Sequence, residues 1–325
     1  MYPHPYPHNG GSMAQPIQYL YNVNYQETDR DLSCLEIKAL FDIELEGKVF
    51  ITTQKKDPSI SPFIKNRLDI IYDVASFGAI IEIVEKNRII ADVFNVVYLP
   101  LTENDAYLAN RRYYCKEVGL RVTGFPNYAN PDITFAVAFF NGHWYLGVLN
   151  QNNCVWKKHN NRPYSYSSSL NINLAKVLVN LAGNGDFSKK IIDPCCGVGT
   201  VLFEGFFSGY NISGRELNEK VSENARINLR HFNYPPKVET GDIRDIQEHY
   251  DASIVDLPYG ISVETSKAYQ MMIVKNALRI SDKLVLVSSK DIENDLLKEN
   301  ISITQSCKVT KNMNRDFARY IWICE

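Results

Sequence analysis

Ile191-Ile192-Asp193-Pro194-Cys195-Cys196-Gly197-Val198-Gly199-Thr200 is an apolar strand ending in a carboxylate, then a tight glycine loop that opens a helix. Glycine lets the backbone approach a ligand closely, and a helix N-terminus favours a carboxylate or phosphate. In open α/β sheets, ligands sit beyond the carboxyl ends of the strands, where this loop falls. Outward from it, strands are predicted at 190–193, 212–216, 237–239, 252–256, 283–289, 302–309 and 319–324. Helices are predicted around 199–209, 218–231, 265–280 and 290–299. Such alternation implies an α/β fold, with a doubly wound, mostly parallel sheet covered on both faces. The last two strands have no helical pattern between them, so an antiparallel hairpin should close the C-terminal edge.

Three strands end in acids. Asp193 closes the first, Glu216 the second in Ile212-Ser213-Gly214-Arg215-Glu216, and Asp242 follows the third in Thr240-Gly241-Asp242-Ile243. Glu216 stands about 20 residues past the glycine loop, the spacing at which an acid reaches ribose hydroxyls. A nicotinamide-dinucleotide site would want G-x-G-x-x-G, but Leu202 holds the third glycine position. A lone Gly-x-Gly is more often a structural turn; three acid-ended strands in order make a purely structural account a poor one. The fourth strand ends Ile254-Val255-Asp256-Leu257-Pro258-Tyr259-Gly260.

With these residues, segment 166–325 resembles a class I S-adenosylmethionine-dependent methyltransferase domain. The resemblance implies a methionine-binding loop at Asp193, Pro194, Cys195, Gly197, Gly199 and Thr200. It implies a ribose acid at Glu216, an adenine site at Asp242 and Ile243, and a further cofactor contact at Asp256. Asp256–Tyr259 resembles the [D/N]-P-P-[Y/F/W] motif of enzymes that methylate exocyclic or amide nitrogens, with Leu257 where proline is usual. An amine conjugated to a purine is a poor nucleophile because its lone pair is delocalised. Asp256 and the Leu257 carbonyl would accept its hydrogens, Pro258 would stiffen the turn, and Tyr259 would stack the base. Catalysis then needs only positioning and electrostatics. Since position 257 offers only its carbonyl, leucine there should alter rigidity rather than chemistry. Cys195 and Cys196 read as small residues packed under the loop, not as a nucleophile.

Upstream, Arg162-Pro163-Tyr164 and Ser169–Ala182 resemble the segment that precedes the methyltransferase domain in tRNA (guanosine-10, N2)-methyltransferases. Asn130–Ile133 with Tyr145-Leu146-Gly147 resembles the end of their THUMP RNA-binding domain, and Tyr19–Phe41 the ferredoxin-like domain before it. The implied organisation is a flexible tail over 1–16, a ferredoxin-like plus abridged THUMP-like α+β region over 17–165, and the methyltransferase domain over 166–325. Within the second part, 17–25 reads as a strand, 27–41 as a helix capped by Thr28, and 48–53 as a strand. A hairpin over 132–149 should turn at Asn141-Gly142.

No Asp or Glu stands between Asp132 and Asp186, a stretch holding Lys157, Lys158, Arg162 and Lys176 among Trp144, Tyr145, Trp156, Tyr164 and Tyr166. Basic residues interleaved with aromatics suit phosphate contacts and base stacking; Lys157, Lys158, Arg162 and Tyr164 are the RNA-binding candidates. Arg111, Arg112, Lys308, Lys311, Arg315 and Arg319 are weaker ones, and His143 and His159 read as hairpin or surface residues. The alternative is a hairpin core plus a solvated Lys-Lys pair.

Over 325 residues and 37.2 kDa, with charge −2 and pI near 6.3, the chain is not uniformly basic, so an RNA face must be local. No apolar run approaches the ~20 residues of a membrane helix. Seven cysteines without a C-x-x-C pair fit a reducing, cytoplasmic setting rather than a disulfide framework or zinc site. The expectation is a monomeric enzyme using S-adenosylmethionine, free of metal and membrane, acting on guanine N2 in RNA, most naturally tRNA. Its rivals are a DNA adenine-N6 or protein glutamine-N5 methyltransferase, and a non-catalytic S-adenosylmethionine- or RNA-binding relative.

Overall fold

The computed structural model describes residues 18–103, 105–166, 169–258, 266–310 and 318–325. The expected tail over 1–16, Tyr259, Lys311 and Arg315 lie outside the described residues.

In chain order the N-terminal half runs β1 (Tyr19–Val23), α1 (Arg30–Phe41), β2 (Val49–Thr52), β3 (Ile64–Val74), α2 (Phe77–Asn87), β4 (Ile90–Tyr98), α3 (Arg111–Gly119), β5 (Thr123–Pro126), β6 (Ile133–Phe140) and β7 (His143–Gln151). The C-terminal half runs α4 (Ile172–Gly183), β8 (Lys190–Asp193), α5 (Thr200–Ser208), β9 (Asn211–Glu216), α6 (Glu219–His231), β10 (Val238–Thr240), β11 (Ala252–Asp256), α7 (Lys267–Arg279), β12 (Leu284–Ser288), α8 (Glu293–Lys298), β13 (Ile303–Thr310) and β14 (Ala318–Cys324).

These elements form two compact units. The first comprises the residues up to Asn24, Leu45–Ser59 and Ile64–Asn153; the second comprises Tyr25–Glu44, Ile60–Phe63 and Cys154–Glu325.

The first unit carries one sheet in the order β2-β1-β3-β7-β6-β4-β5. Its β6–β7 hairpin turns at Asn141 and Gly142, both at positive φ (49° and 84°), as a two-residue turn matched to strand twist requires. Trp144 and Tyr145 are buried in this unit's core.

The second unit carries a sheet in the order β10-β9-β8-β11-β12-β14-β13, parallel through β12 and antiparallel beyond it. The expected C-terminal hairpin forms, but β14 lies between β12 and β13. Patterning explains the exchange: Ile321–Cys324 are all buried, while β13 alternates exposed and half-buried positions and so suits an edge. The order reverses between β8 and its two neighbours, which opens a crevice at the carboxyl ends of β8, β9 and β11.

Helix α1 is part of this second unit, packed on α4 and β13. Its start differs from expectation: a 3-10 turn over Glu27–Asp29 precedes it, and Asp29, not Thr28, holds the N-cap position, without a side-chain cap. Between α1 and α4, the buried Glu36 carboxylate accepts from Ser61 Oγ at 2.5 Å and from Asn180 Nδ2 at 2.6 Å. Burial pushes that carboxyl up to about 7. Among the described residues no helix is long and apolar enough to cross a membrane.

Candidate active site

The loop after β8 is held from below and from the side. Cys196 N donates to Arg215 O at 2.9 Å, and Gly199 N to Cys196 O at 2.8 Å. Gly197 (φ 53°) and Gly199 (φ 86°) occupy left-handed backbone, which glycine adopts without steric cost. A Cβ at Gly214 on β9 would stand 3.0 Å from Cys196 Sγ and 2.7 Å from Leu202, so that glycine is what lets the loop lie against β9. Glu216 then joins strand to loop: its Oε2 accepts from Gly197 N and its Oε1 from Asn218 N, both at 2.9 Å.

Above this loop lies a cavity of about 450 Å³, within the usual size range for small-molecule and cofactor sites. Asp193, Glu216, Asp242 and Asp256 all line it, as do Pro194, Cys195, Gly197, Thr200, Ile243, Leu257 and Pro258. Gly199 sits behind the wall as the N-cap of α5. Tyr269 and Ile273 of α7 also line it. They are not among the sequence candidates, because nothing in a helical pattern marks which face turns toward a loop so far upstream in the chain.

The acids differ in environment. Asp193 is buried, and burial above all, with the charges of Asp256 and Glu216 adding, pushes its carboxyl up to about 8 against the hydrogen bond from Cys195 N. Asp242 is held below the usual carboxylate range by Arg244, whose Nη2 and Nε lie 2.7 and 3.0 Å from its two oxygens. Burial raises Asp256 to about 6, with Arg319 pulling the other way; Arg319 Nη1 stands 3.2 Å from both carboxylate oxygens. From sequence Arg319 was read as a weak RNA contact. Cys195 and Cys196 are pushed far above the thiol range, first by burial and then by Asp193 and Glu216, which disfavours a thiolate at either.

Leu257 is 1% exposed and packs in a cluster with Ile273, Ile292 and Leu296. Its N–H donates to Val287 O at 2.9 Å and so carries the β11–β12 ladder one residue past Asp256. Proline could not make that bond. Pro258 O accepts from Gln270 Nε2 at 3.1 Å, tying the turn to α7.

Of the RNA candidates, Lys157 and Lys158 are exposed on a 3-10 stretch over Val155–Asn161, Tyr164 is 41% exposed, and Arg162 is half-buried. Asn228 clamps the backbone of Tyr164 through two 2.9 Å bonds. The acid-free stretch is otherwise less of a surface than its composition implied. Lys176 is fully buried, donating to Ser208 Oγ at 3.0 Å with its ammonium 4.6 Å from the Phe207 ring centre. Trp156 is buried too, and so is His159, bonded to Glu204 at 2.6 Å and Tyr234 at 3.0 Å, which corrects the surface reading of that histidine.

An open sheet of this order, with its last strand inserted antiparallel and acids at the carboxyl ends of β8, β9 and β11, is the fold of a class I S-adenosylmethionine-dependent methyltransferase domain. Residues 159–314 match the model of the UPF0020 family, described as an RMKL-like methyltransferase domain. The chain is 29% identical over 194 residues to the tRNA (guanine(10)-N2)-dimethyltransferase of Methanothermobacter thermautotrophicus, covering 55% of this chain and 56% of the relative. It is 25% identical over 179 residues to the enzyme of that name from Pyrococcus abyssi, covering 52% and 54%. To the U6 snRNA (guanine-N(2))-methyltransferase THUMPD2 of Bos taurus it is 26% identical over 144 residues, covering 40% and 28%. Residues 159–314 thus match a methyltransferase domain, and the chain spans about half the length of the tRNA-modifying relatives it matches.

Proposed function

We propose that the protein transfers a methyl group from S-adenosylmethionine to the exocyclic N2 of guanine in RNA, most naturally in tRNA. The observation that carries this is Asp256: a carboxylate at the end of β11, on the cavity wall, followed by the Leu257-Pro258 turn. The printed names of the relatives, tRNA and U6 snRNA guanine-N2 methyltransferases, support the same acceptor.

The cavity fits the cofactor by its donor set. Its carboxylates suit a ligand with an ammonium, ribose hydroxyls and an adenine amine: Asp193 with the loop for the amino-acid end, Glu216 for the ribose, Asp242 and Ile243 for the base. When bound, the cofactor supplies an electrophilic sulfonium methyl. Asp256 and the Leu257 carbonyl accept the hydrogens of the acceptor amine and aim its lone pair, and Pro258 stiffens the turn that presents that carbonyl. Tyr259 is assigned to stacking on sequence grounds alone. Water exclusion and alignment supply the rest of the acceleration.

Lys157, Lys158, Arg162 and Tyr164 form the RNA face on this reading, supported by the exposure of the two lysines and of the Tyr164 ring. The N-terminal segment 17–165 acts as the ferredoxin-like and abridged THUMP-like partner in RNA binding. The enzyme works as a cytoplasmic monomer; its seven cysteines, without a C-x-x-C pair, are in keeping with a reducing compartment.

The deciding experiment is transfer from labelled S-adenosylmethionine to unmodified tRNA transcripts, with product nucleosides identified by mass spectrometry and Asp256→Ala run alongside. N2-methylguanosine that disappears in the variant is the expected result. Transfer to adenine in duplex DNA instead, or cofactor binding with no transfer to any acceptor, would overturn it.

A further inference from the structure

A second cavity, of about 750 Å³, lies in the same unit. Its polar lining includes Asp29, Asn160, Arg162, Asn171, Asn173 and Arg319. The two cavities share Ser169 and Leu170 as a common wall. Asp256 faces the first and Arg319 the second, and their 3.2 Å ion pair crosses between them. The carboxylate assigned to the acceptor amine is therefore in direct contact with the second cavity's own guanidinium.

Arg162 supplies the second observation. Its Nε is buried and has no hydrogen-bond partner among the described residues, while its Nη1 reaches His159 O only at 3.4 Å. A buried guanidinium N–H left without an acceptor is costly unless something else fills the role. An anionic oxygen with bidentate geometry is what a guanidinium fork matches best. Among the described residues of this lining Asp29 is the one carboxylate, and burial raises it above its ordinary value.

We infer that the second cavity is the acceptor-nucleotide site, in which Arg162 receives a phosphate of the target guanosine and Arg319 is a positioning residue that keeps Asp256 oriented and ionised for the incoming amine. This rests on the methyl-transfer reading above. It goes further in saying which side the nucleotide enters from and which cations receive it. Topology agrees, because β14 runs antiparallel and begins, near Arg319, at the end of the sheet where the parallel strands finish. Among the described residues the charged groups facing Asp256 are Arg319 on β14 and Asp193 on β8; the neighbouring part of β12 brings Val287 and Ser288, which carry no charge.

Two measurements that need no turnover test this. The first is calorimetric binding of guanosine 5′-monophosphate and of guanosine, with S-adenosylhomocysteine present, to wild type, Arg162→Gln and Arg162→Lys. Loss of a charge-assisted contact predicts about 10- to 100-fold weaker nucleotide binding in Arg162→Gln, partial recovery with lysine, and guanosine within about twofold. Equal nucleotide affinity in all three, or no saturable binding by wild type, overturns the site. The second is carbon-13 titration of the Asp256 carboxyl, assigned with Asp256→Asn, in wild type, Arg319→Gln and Arg319→Lys. A proton affinity raised about tenfold or more in Arg319→Gln, and restored in large part by lysine, is expected. An unmoved titration overturns the role of Arg319. S-adenosylhomocysteine affinity within about twofold of wild type confirms that the Arg162 and Arg319 variants are folded. A protein that passes both tests yet never methylates guanine refutes the methyl-transfer reading alone.

Discussion

Replacing Leu257 by proline would restore the residue usual in the motif, and the structure predicts that it weakens the protein. Three terms decide the sign. The Leu257 N–H to Val287 O bond, 2.9 Å long and buried, is lost, and orphaning a buried carbonyl costs about 1–3 kcal/mol. The side chain is buried in the cluster that also holds Ile273, Ile292 and Leu296; proline fills less of that space, costing roughly 1 kcal/mol per missing methylene plus a cavity term. Against these, proline restricts the unfolded chain and returns about 0.4–1 kcal/mol. The net is a loss of about 2–3 kcal/mol. Guanidinium denaturation followed by near-ultraviolet circular dichroism would measure it, with Leu257→Ala as the control that keeps the N–H. A Leu257→Pro protein as stable as wild type would refute the claim that the ladder bond and the buried side chain replace the rigidity of proline. Methyl transfer in that variant should persist, because the carbonyl is retained.

Three further outcomes are expected. Asp193 has its folded carboxyl raised to about 8, above its unfolded value, so its contribution to stability declines as pH rises from about 4 to about 8. The difference in melting temperature between cofactor-free wild type and Asp193→Asn across that range isolates the effect, and parallel curves would contradict it. Glu36→Ala removes the buried acceptor that Ser61 Oγ and Asn180 Nδ2 share inside the α1–α4 contact and should cost about 2–4 kcal/mol in denaturant unfolding, with Glu36→Gln losing much less. Neutralising Lys157 and Lys158 together should flatten the salt dependence of RNA binding by about two phosphate contacts, with cofactor affinity unmoved; an unaltered slope would remove them from the RNA face.

The sequence by itself determined the features that are local. A glycine loop between an apolar strand and a helix, acids at strand ends and a two-residue Asn-Gly turn are each specified by neighbours in the chain, and the structure places them as expected. Even the position of β14 is visible afterwards in its unbroken apolar run, since a strand with neighbours on both edges and cover on both faces has no polar side. What only the tertiary structure decided is which charged and aromatic residues face water and which meet each other. Composition cannot separate the exposed Lys157 and Lys158 from the buried Lys176, nor Tyr164 from Trp156, because burial depends on the helices and strands packed above them. The membership of α1 in the second unit and the Asp256–Arg319 pair, 63 residues apart in sequence, depend likewise on distant segments meeting. No periodicity encodes such a meeting, because the partner that offsets the cost of burying a charge arrives only when the sheet is assembled.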